Sequence, residues 1–233
     1  MINDIFMTRW DEPHFAENHE RAAAVVGTQV RCVSNISGIH DAHLACANMS
    51  STPFFWCIDG DNWLTDNARE DLAMVEGDAK DDSVYVMRAV NPFNGLVYGH
   101  GAIKLFPTRT FINNLNRSAV DMTSGAKLSY RIVHRMTSEH RYHGSAFHAW
   151  RTAFRECVKL ASSIIPNTKQ DETAHRLDVW CDASKITKMD FWEENMSGAL
   201  RGRDYGTKHK NDKKALAMIN DFAWLRQEFD NHE

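Results

Sequence analysis

Residues 54–67 read FFWCIDGDNWLTDN, an apolar run that ends on two aspartates, Asp59 and Asp61, separated by one glycine. Two carboxylates this close together at the end of a buried strand repel each other unless a cation lies between them. Mg²⁺ and Mn²⁺ take oxygen ligands, commonly one or two carboxylates together with the phosphates of a substrate. The turn therefore predicts a divalent-cation site, and Asp66 and Asn67 predict the start of a helix after it.

The chain before this turn alternates short apolar runs with segments of helical periodicity. Strands are predicted at residues 4–8, 30–36 and 54–58, and helices at residues 12–25 and 38–51. This β-α-β-α-β order predicts a parallel sheet with helices on its faces. Ligands of such sheets bind outside the carboxyl ends of the strands, which is where Asp59 and Asp61 fall.

After the turn, the pattern predicts strands over residues 84–90 and 96–106 and a long helix that begins at Ser145. The apolar stripe of that helix, which includes Phe147 and Trp150, is expected to face the core. The remaining residues are mostly helical. No internal repeat or clear linker divides the chain, so one domain over residues 1–233 is expected.

Composition restricts the class of protein. With 43% hydrophobic residues and seven tryptophans, the 233-residue chain can form a core. Five scattered cysteines without a CxxC pair predict reduced, mostly buried thiols. No apolar run is long enough to cross a membrane and no signal-peptide layout is present, so the chain is expected to be soluble and cytoplasmic.

The net charge of −4 conceals an uneven distribution. Residues 1–82 carry 15 acidic and 5 basic side chains, whereas residues 83–233 carry 16 acidic and 22 basic ones. This asymmetry favours an acidic half that binds metal and a basic half that meets a polyanion. Two solvated faces are the alternative.

One enzymatic interpretation is a haloacid-dehalogenase-type phosphatase, in which an apolar strand ends in DxDx followed by Thr or Val. Here Trp63 stands at that last position, and two β-α units precede a motif that this class carries on its first strand. Both departures count against it. An interpretation from another class is a non-catalytic nucleic-acid-binding protein that keeps a structural cation.

A third interpretation comes from a resemblance. The segment SNISGIHDAHLACANMSSTPFFWCIDGDN (residues 34–62) resembles the family-2-like GT-A glycosyltransferases, in which a DxD ends the strand after the nucleotide-binding half. GHGAIKLFPTRTF (99–111) is similar to the later glycine-containing segment that shapes the acceptor side in this family. SEHRYHGSAFHAWRTAFRECVKL (138–160) and INDFAWL (219–225) are similar to segments of a phage-encoded branch of GT-A-like proteins, some of which glycosylate modified DNA bases.

The resemblance implies an α/β fold with a GT-A-like, Rossmann-type, mostly parallel sheet flanked by helices and a helical C-terminal extension. Within the single domain, residues 1–62 would be the nucleotide-binding half, residues 63–165 the acceptor side and residues 166–233 the extension. The implied activity is transfer of a hexose, or a pentose such as arabinose, from a nucleotide-sugar donor that is expected to be UDP-linked.

The resemblance also assigns roles at the donor site. Asp61 would bind the Mn²⁺ or Mg²⁺ that bridges the diphosphate, and Asp59 would contact the ribose or share the metal. The end of the first strand, from Thr8 to Asp11, would face the nucleobase, with Asp11 as a hydrogen-bond partner. His209 is the candidate for the C-terminal histidine that many GT-A enzymes add to the metal.

An inverting transferase needs a base near the acceptor hydroxyl, whereas a retaining one does not. The candidates are Glu139 and His140, in a predicted loop before the long helix, and then His100 between two glycines. A surface ion pair of Glu139 with Arg135 or Arg141 is the alternative for that residue.

Basic residues cluster in two places. Between Lys127 and Lys159 there are seven Lys or Arg against two acids, a density typical of segments that follow phosphates. The expected DNA contacts in this segment are Arg135, Arg141, Arg151 and Arg155. A later cluster, with Arg203 and Lys208, is expected to face the donor diphosphate or the acceptor backbone. The favoured acceptor, from the phage resemblance, is hydroxymethylcytosine in DNA, which the enzyme would flip out or bind single-stranded.

Overall fold

The computed structural model describes residues 3–99, 102–117, 122, 127–165 and 169–231. The chain forms two compact units. Unit 1 comprises Met1–Asn91 and Val97–Arg141, and unit 2 comprises Pro92–Leu96 and Tyr142–Glu233. Organisation as one domain with boundaries at residues 62 and 165 stays a prediction.

Unit 1 contains the sheet. Its strands are β1 (Asp4–Arg9), β2 (Val30–Ser34), β3 (Phe54–Asp59), β4 (Asn62–Leu64), β5 (Ser83–Val90), β6 (Val97–Tyr98), β7 (Ile103–Pro107) and β8 (Ser129–His140). Its described helices are α1 (Phe15–Val26), α2 (Ile39–Met49), α3 (Ala68–Gly77) and α4 (Thr108–Asn114). The strand order is β2-β1-β3-β7-β5-β8-β4, with β6 paired to β5.

Five of the eight described strands run in one direction, and β4, β6 and β7 run in the other. Strands β2, β1 and β3 pair in parallel, and β5 pairs in parallel with β8, while β7 runs antiparallel between β3 and β5. The predicted α/β class, with a mostly parallel sheet flanked by helices and helices at the C-terminal end, is confirmed. Asp59 ends the third strand, as the sequence predicts, whereas the dehalogenase arrangement requires the first.

Both faces of the sheet are buried, which explains the unbroken apolar run of β3. Trp56 and Ile58 face the cluster that includes Phe15 and Leu72, from α1 and α3. Phe55 and Cys57 face the opposite cluster, to which α2 and α4 contribute. Because side chains alternate along a strand, a strand covered on both faces must be apolar at consecutive positions.

Unit 2 is helical. Its helices are α5 (Ala146–Ser162), α6 (Gln170–Trp180), α7 (Trp192–Lys208), α8 (Lys213–Ala217) and α9 (Phe222–Asp230). Phe147 and Trp150 are buried, as their periodicity predicts. Among the described residues, none of the helices has the length and apolar character that a membrane span requires.

Glycines bring α5 and α7 into unusually close contact. Gly198, Gly202 and Gly206 lie four residues apart on α7, and a Cβ added to them would lie 2.3, 2.3 and 2.6 Å from the carbonyl oxygens of Trp150, Phe154 and Val158. At these distances the two backbones touch. Only glycine leaves room for that contact.

Two expectations about the elements are wrong. Residues 96–106 do not form one strand, because β6 and β7 are separate and pair differently. Glu139 and His140 lie at the end of strand β8 and not in a loop. The strand was missed because its middle, residues 131–136, is largely exposed and carries three basic side chains, so it lacks the apolar alternation of a half-buried strand.

Candidate active site

The turn between β3 and β4 is fixed by close backbone packing. The Asp59 N–H donates to the Ala102 carbonyl at 2.8 Å. A Cβ on Gly60 would lie 2.6 Å from the Thr8 carbonyl oxygen and 2.9 Å from the Phe15 ring. The neighbours that require glycine at position 60 are therefore the end of β1 and the start of α1.

The Asp61 carboxylate is held on both of its oxygens. Oδ1 accepts from the Asn62 side-chain amide at 2.9 Å, and Oδ2 lies 3.0 Å from His140 Nε2. The Asp61 carbonyl accepts from the Arg141 N–H at 2.7 Å. The Asp61 and His140 side chains are 24% and 16% exposed, so the pair is largely shielded yet reachable from solvent.

Buried amides support the same turn from behind. The fully buried Asn62 accepts a hydrogen bond on Oδ1 from the Ser138 hydroxyl at 3.2 Å. Asn18, on α1, donates from Nδ2 to the Gly60 and Asn62 carbonyls at 2.8 and 2.9 Å. Strand β8 and helix α1 therefore determine together where Asp61 points.

Glu12 adds a second carboxyl group that sequence patterns did not reveal. Burial and the neighbouring charge of Asp61 raise its pKa, while its Oε2 accepts from the Trp10 N–H at 2.8 Å. A raised pKa means that the ionised carboxylate is unfavourable there without a compensating cation. No local motif distinguishes Glu12 from the other acids of the first third of the chain.

In metal-free protein, Glu12→Gln is expected to raise the free energy of unfolding near neutral pH. Because the folded-state pKa of Glu12 is raised, ionisation destabilises the fold as the pH rises through that pKa, and below the unfolded-state pKa the cost is absent. Urea unfolding with EDTA at about pH 4 and about pH 7 measures this difference, since glutamate titrates between them when unperturbed. An equal stability difference at both pH values would contradict the prediction.

The structure gives the two aspartates of the turn different neighbours. Asp59 lies beside Thr8 in the register of β1 and β3. Its carboxylate forms a cluster with His43 and Cys57, and the ligand atoms of all three residues lie within 4.8 Å of one another. Asp61 contacts Asn62 and His140 instead, and its charge acts on Glu12. Sharing of one metal by both aspartates stays a prediction.

The group of His43, Cys57 and Asp59 is poorly suited to a metal. Lys104 is buried, and its Nζ lies 3.2 Å from His43 Nε2, the nitrogen that a metal would use, because Nδ1 contacts the Ile39 carbonyl. A hydrogen bond with Cys46 and burial raise the pKa of Cys57 far above its ordinary range, so it is a thiol. The lysine already supplies the positive charge at this position.

The other predicted bases are placed differently. Glu139 accepts two hydrogen bonds from the Arg141 guanidinium, at 3.0 and 3.3 Å, which is the surface pairing that the sequence offered as the alternative. That guanidinium also lies over the Trp63 ring, 4.4 Å from its centroid. Asp11 is exposed. His100 lies outside the described residues.

The predicted donor ligands of the late chain belong to unit 2. His209 caps the C-terminal end of α7, and its ring packs against Tyr205 with 4.4 Å between centroids. Arg203 pairs with Asp204 at 3.2 Å, and Lys208 is exposed in the last turn of α7. Their roles at the metal and the diphosphate stay predictions.

The four arginines expected to bind DNA all have partners within the protein. Arg135 lies 3.6 Å from Asp71, and Arg141 pairs with Glu139. In unit 2, Arg151 is buried against the rings of Phe147 and Phe222, and Arg155 donates to the Ile219 carbonyl and the Asn220 side chain. DNA contact by these residues stays a prediction.

No protein-family model and no curated protein sequence matches this chain. Among solved structures, it is similar to TarS from S. aureus, with 9% identity and a TM-score of 0.42 over 94% of this chain and 54% of that one. The 1–349 form of TarS matches with 7% identity and a TM-score of 0.40, over 98% of this chain and 88% of that one.

A third similar structure is HddC from Yersinia pseudotuberculosis, with 8% identity and a TM-score of 0.39 over 57% of this chain and 70% of that one. Identities this low, with TM-scores below 0.5, assign no activity, substrate or partner to this chain.

Proposed function

We propose that this chain is a metal-dependent glycosyltransferase that moves a sugar from a UDP-linked donor to a hydroxyl group. The observation that carries the proposal is the Asp61 carboxylate, held by Asn62 and His140 beside the raised-pKa carboxyl of Glu12. It stands at the carboxyl ends of the parallel strands β1 and β3, where sheets of this kind bind their ligands.

The residues present fit a hard divalent cation. Carboxylate oxygens, which Asp61 and Glu12 would supply, are the ligands that Mn²⁺ and Mg²⁺ prefer. Burial and the negative charge of Asp61 raise the pKa of Glu12, and a bound cation would favour its ionised form. When bound, the cation would supply Lewis-acid stabilisation of the charge that develops on the leaving diphosphate.

Side chains of the protein would contact the nucleoside and accept the proton of the acceptor. Thr8 and Asp59, adjacent in register at the ends of β1 and β3, are positioned to contact the nucleoside. In the tautomer that donates Nε2–H to Asp61, His140 carries its unprotonated nitrogen at Nδ1. That nitrogen would take the proton of the acceptor hydroxyl if the reaction inverts the anomeric centre. The ion pair of Glu139 with Arg141 makes His140 the stronger candidate base.

The proposed acceptor is a hydroxymethylated base in phage DNA, with hydroxymethylcytosine first. Support comes from the sequence resemblance and from β8. This strand carries His140 to Asp61 and also exposes Arg131, His134 and Arg135 along its middle. A basic strip on the strand that bears the candidate base is suited to follow a phosphate backbone past the site.

The melting temperature of the wild-type protein is expected to rise when UDP and Mn²⁺ are added together, and to change little with either alone, because diphosphate and metal complete each other's coordination. Saturation at about 100 times the dissociation constant adds about 2.7 kcal/mol of stability. For a chain of this size that corresponds to a rise of roughly 5 to 10 °C. Calorimetry with UDP, GDP, CDP and TDP measures it.

The absence of a shift with every nucleotide would rule the transferase out and leave the nucleic-acid-binding alternative. Turnover of a UDP-sugar that rises with hydroxymethylcytosine DNA, and not with matched cytosine DNA, would support the acceptor. Turnover that no DNA stimulates would retain the enzyme and move the search to glycans or protein hydroxyls.

A further inference from the structure

Asn18 occupies an unusual position for a helical residue. It lies on α1, has no exposed surface, and donates both hydrogens of its amide to the Gly60 and Asn62 carbonyls. These two carbonyls flank Asp61 on either side. Because a carbonyl oxygen only accepts, the orientation of the amide is unambiguous, with Nδ2 toward the turn.

This placement has a cost. Asn18 Oδ1 is buried and has no hydrogen-bond partner among the described residues. A buried acceptor that has left water without gaining a donor lowers stability, and an apolar side chain of the same shape would avoid that loss. If only packing mattered, leucine would therefore give the higher folding stability at this position. What the asparagine adds is its two donated hydrogen bonds.

One of these bonds holds the peptide group directly before Asp61, and the other holds the peptide group one residue after it. The Gly60 carbonyl belongs to the peptide group before Asp61, and the Asn62 carbonyl closes the turn after it. Held from α1, neither carbonyl can rotate without losing a buried hydrogen bond. The direction of the Asp61 side chain is then set before any ligand arrives.

We propose that Asn18 is a positioning residue that presents Asp61 to a divalent cation. This inference rests on the proposed metal site. Asparagine is well suited to the role, because aspartate would direct two more oxygens at the carbonyls and serine offers a single hydrogen. Outer-shell groups that orient a ligand typically contribute about 10- to 100-fold to metal affinity.

The test compares Mn²⁺ binding and thermal stability in three proteins: wild type, Asn18→Leu and Asn195→Leu. Asn195 is the matched control, because it is also fully buried with Oδ1 unpartnered, but it lies in unit 2 and donates to the Tyr142 hydroxyl. Electron paramagnetic resonance of free Mn²⁺ gives the dissociation constant, and calorimetry gives the melting temperature.

Asn18→Leu is expected to weaken Mn²⁺ binding about 10- to 100-fold while still melting cooperatively, and Asn195→Leu is expected to leave the affinity unchanged. Wild-type affinity in Asn18→Leu would overturn the role of Asn18 and leave the metal site intact. A wild-type protein that binds no Mn²⁺ would overturn the metal site itself. If Asn18→Leu does not fold, Asn18→Ser, which is smaller and retains one donor, decides by the same criterion.

Discussion

Asp61→Asn is expected to lower metal-dependent turnover of the nucleotide-sugar by roughly 100- to 1,000-fold, the scale observed when one electrostatic contact to developing charge is removed. The substitution preserves shape, and the asparagine oxygen can still accept from Asn62. It removes the negative charge that holds the cation, and it also changes the partner of His140 Nε2. Initial rates with Mn²⁺ and a UDP-sugar measure the loss.

Asp66→Asn is the control for this prediction. Asp66 lies five residues later, and its side chain is 89% exposed in a surface pair with Arg21, so the same chemical change there should leave the rate within a factor of two. Circular dichroism must show both variants folded. Full turnover by Asp61→Asn would exclude the metal-dependent mechanism, whatever the true acceptor.

Gly202→Ala is expected to cost about 2 to 3 kcal/mol of folding stability, toward the upper end of penalties for overpacking. The added methyl group would lie 2.3 Å from the Phe154 carbonyl oxygen and 2.9 Å from the Phe154 Cα. Backbone atoms cannot move aside as a flexible side chain can, so α5 and α7 must separate. The melting temperature should fall by roughly 5 to 10 °C.

Gly77→Ala provides the opposite case. Gly77 ends α3, and an added Cβ would meet no atom within 4 Å. Alanine there should stabilise the protein by about 0.5 to 1 kcal/mol, because it lowers the entropy of the unfolded chain. If both variants are stabilised, the close contact between the two helices is not present in solution.

The first half of unit 1 could be predicted from sequence because its elements have simple periods. Strands β1, β2 and β3, with helices α1 and α2, fall within a few residues of the predicted ranges. Strand β8 could not be predicted, because its exposed middle lacks apolar alternation. The glycine spacing on α7 is visible in the sequence. The helix that these glycines contact is not, because that contact is made between residues far apart in the chain.

Some residues of the candidate site could be predicted from local sequence patterns and others could not. The apolar run identified Asp59 and Asp61, because a buried strand that ends in two acids is a strong local signal. Asn18 and Glu12 reach the turn from 42 and 49 residues away in sequence, so no local pattern marks them. Tertiary contact also pairs His140 with Asp61, across 79 residues.

The antiparallel strand β7 has a consequence for the order of folding during synthesis. It fills the space beside β3, where Phe106 stacks on Phe55 with 5.2 Å between ring centroids, yet it is made about fifty residues later. Until then β3 is an apolar edge strand that can pair with another nascent chain. A fragment ending at residue 62 would contain the predicted nucleotide-binding half and still be prone to aggregation.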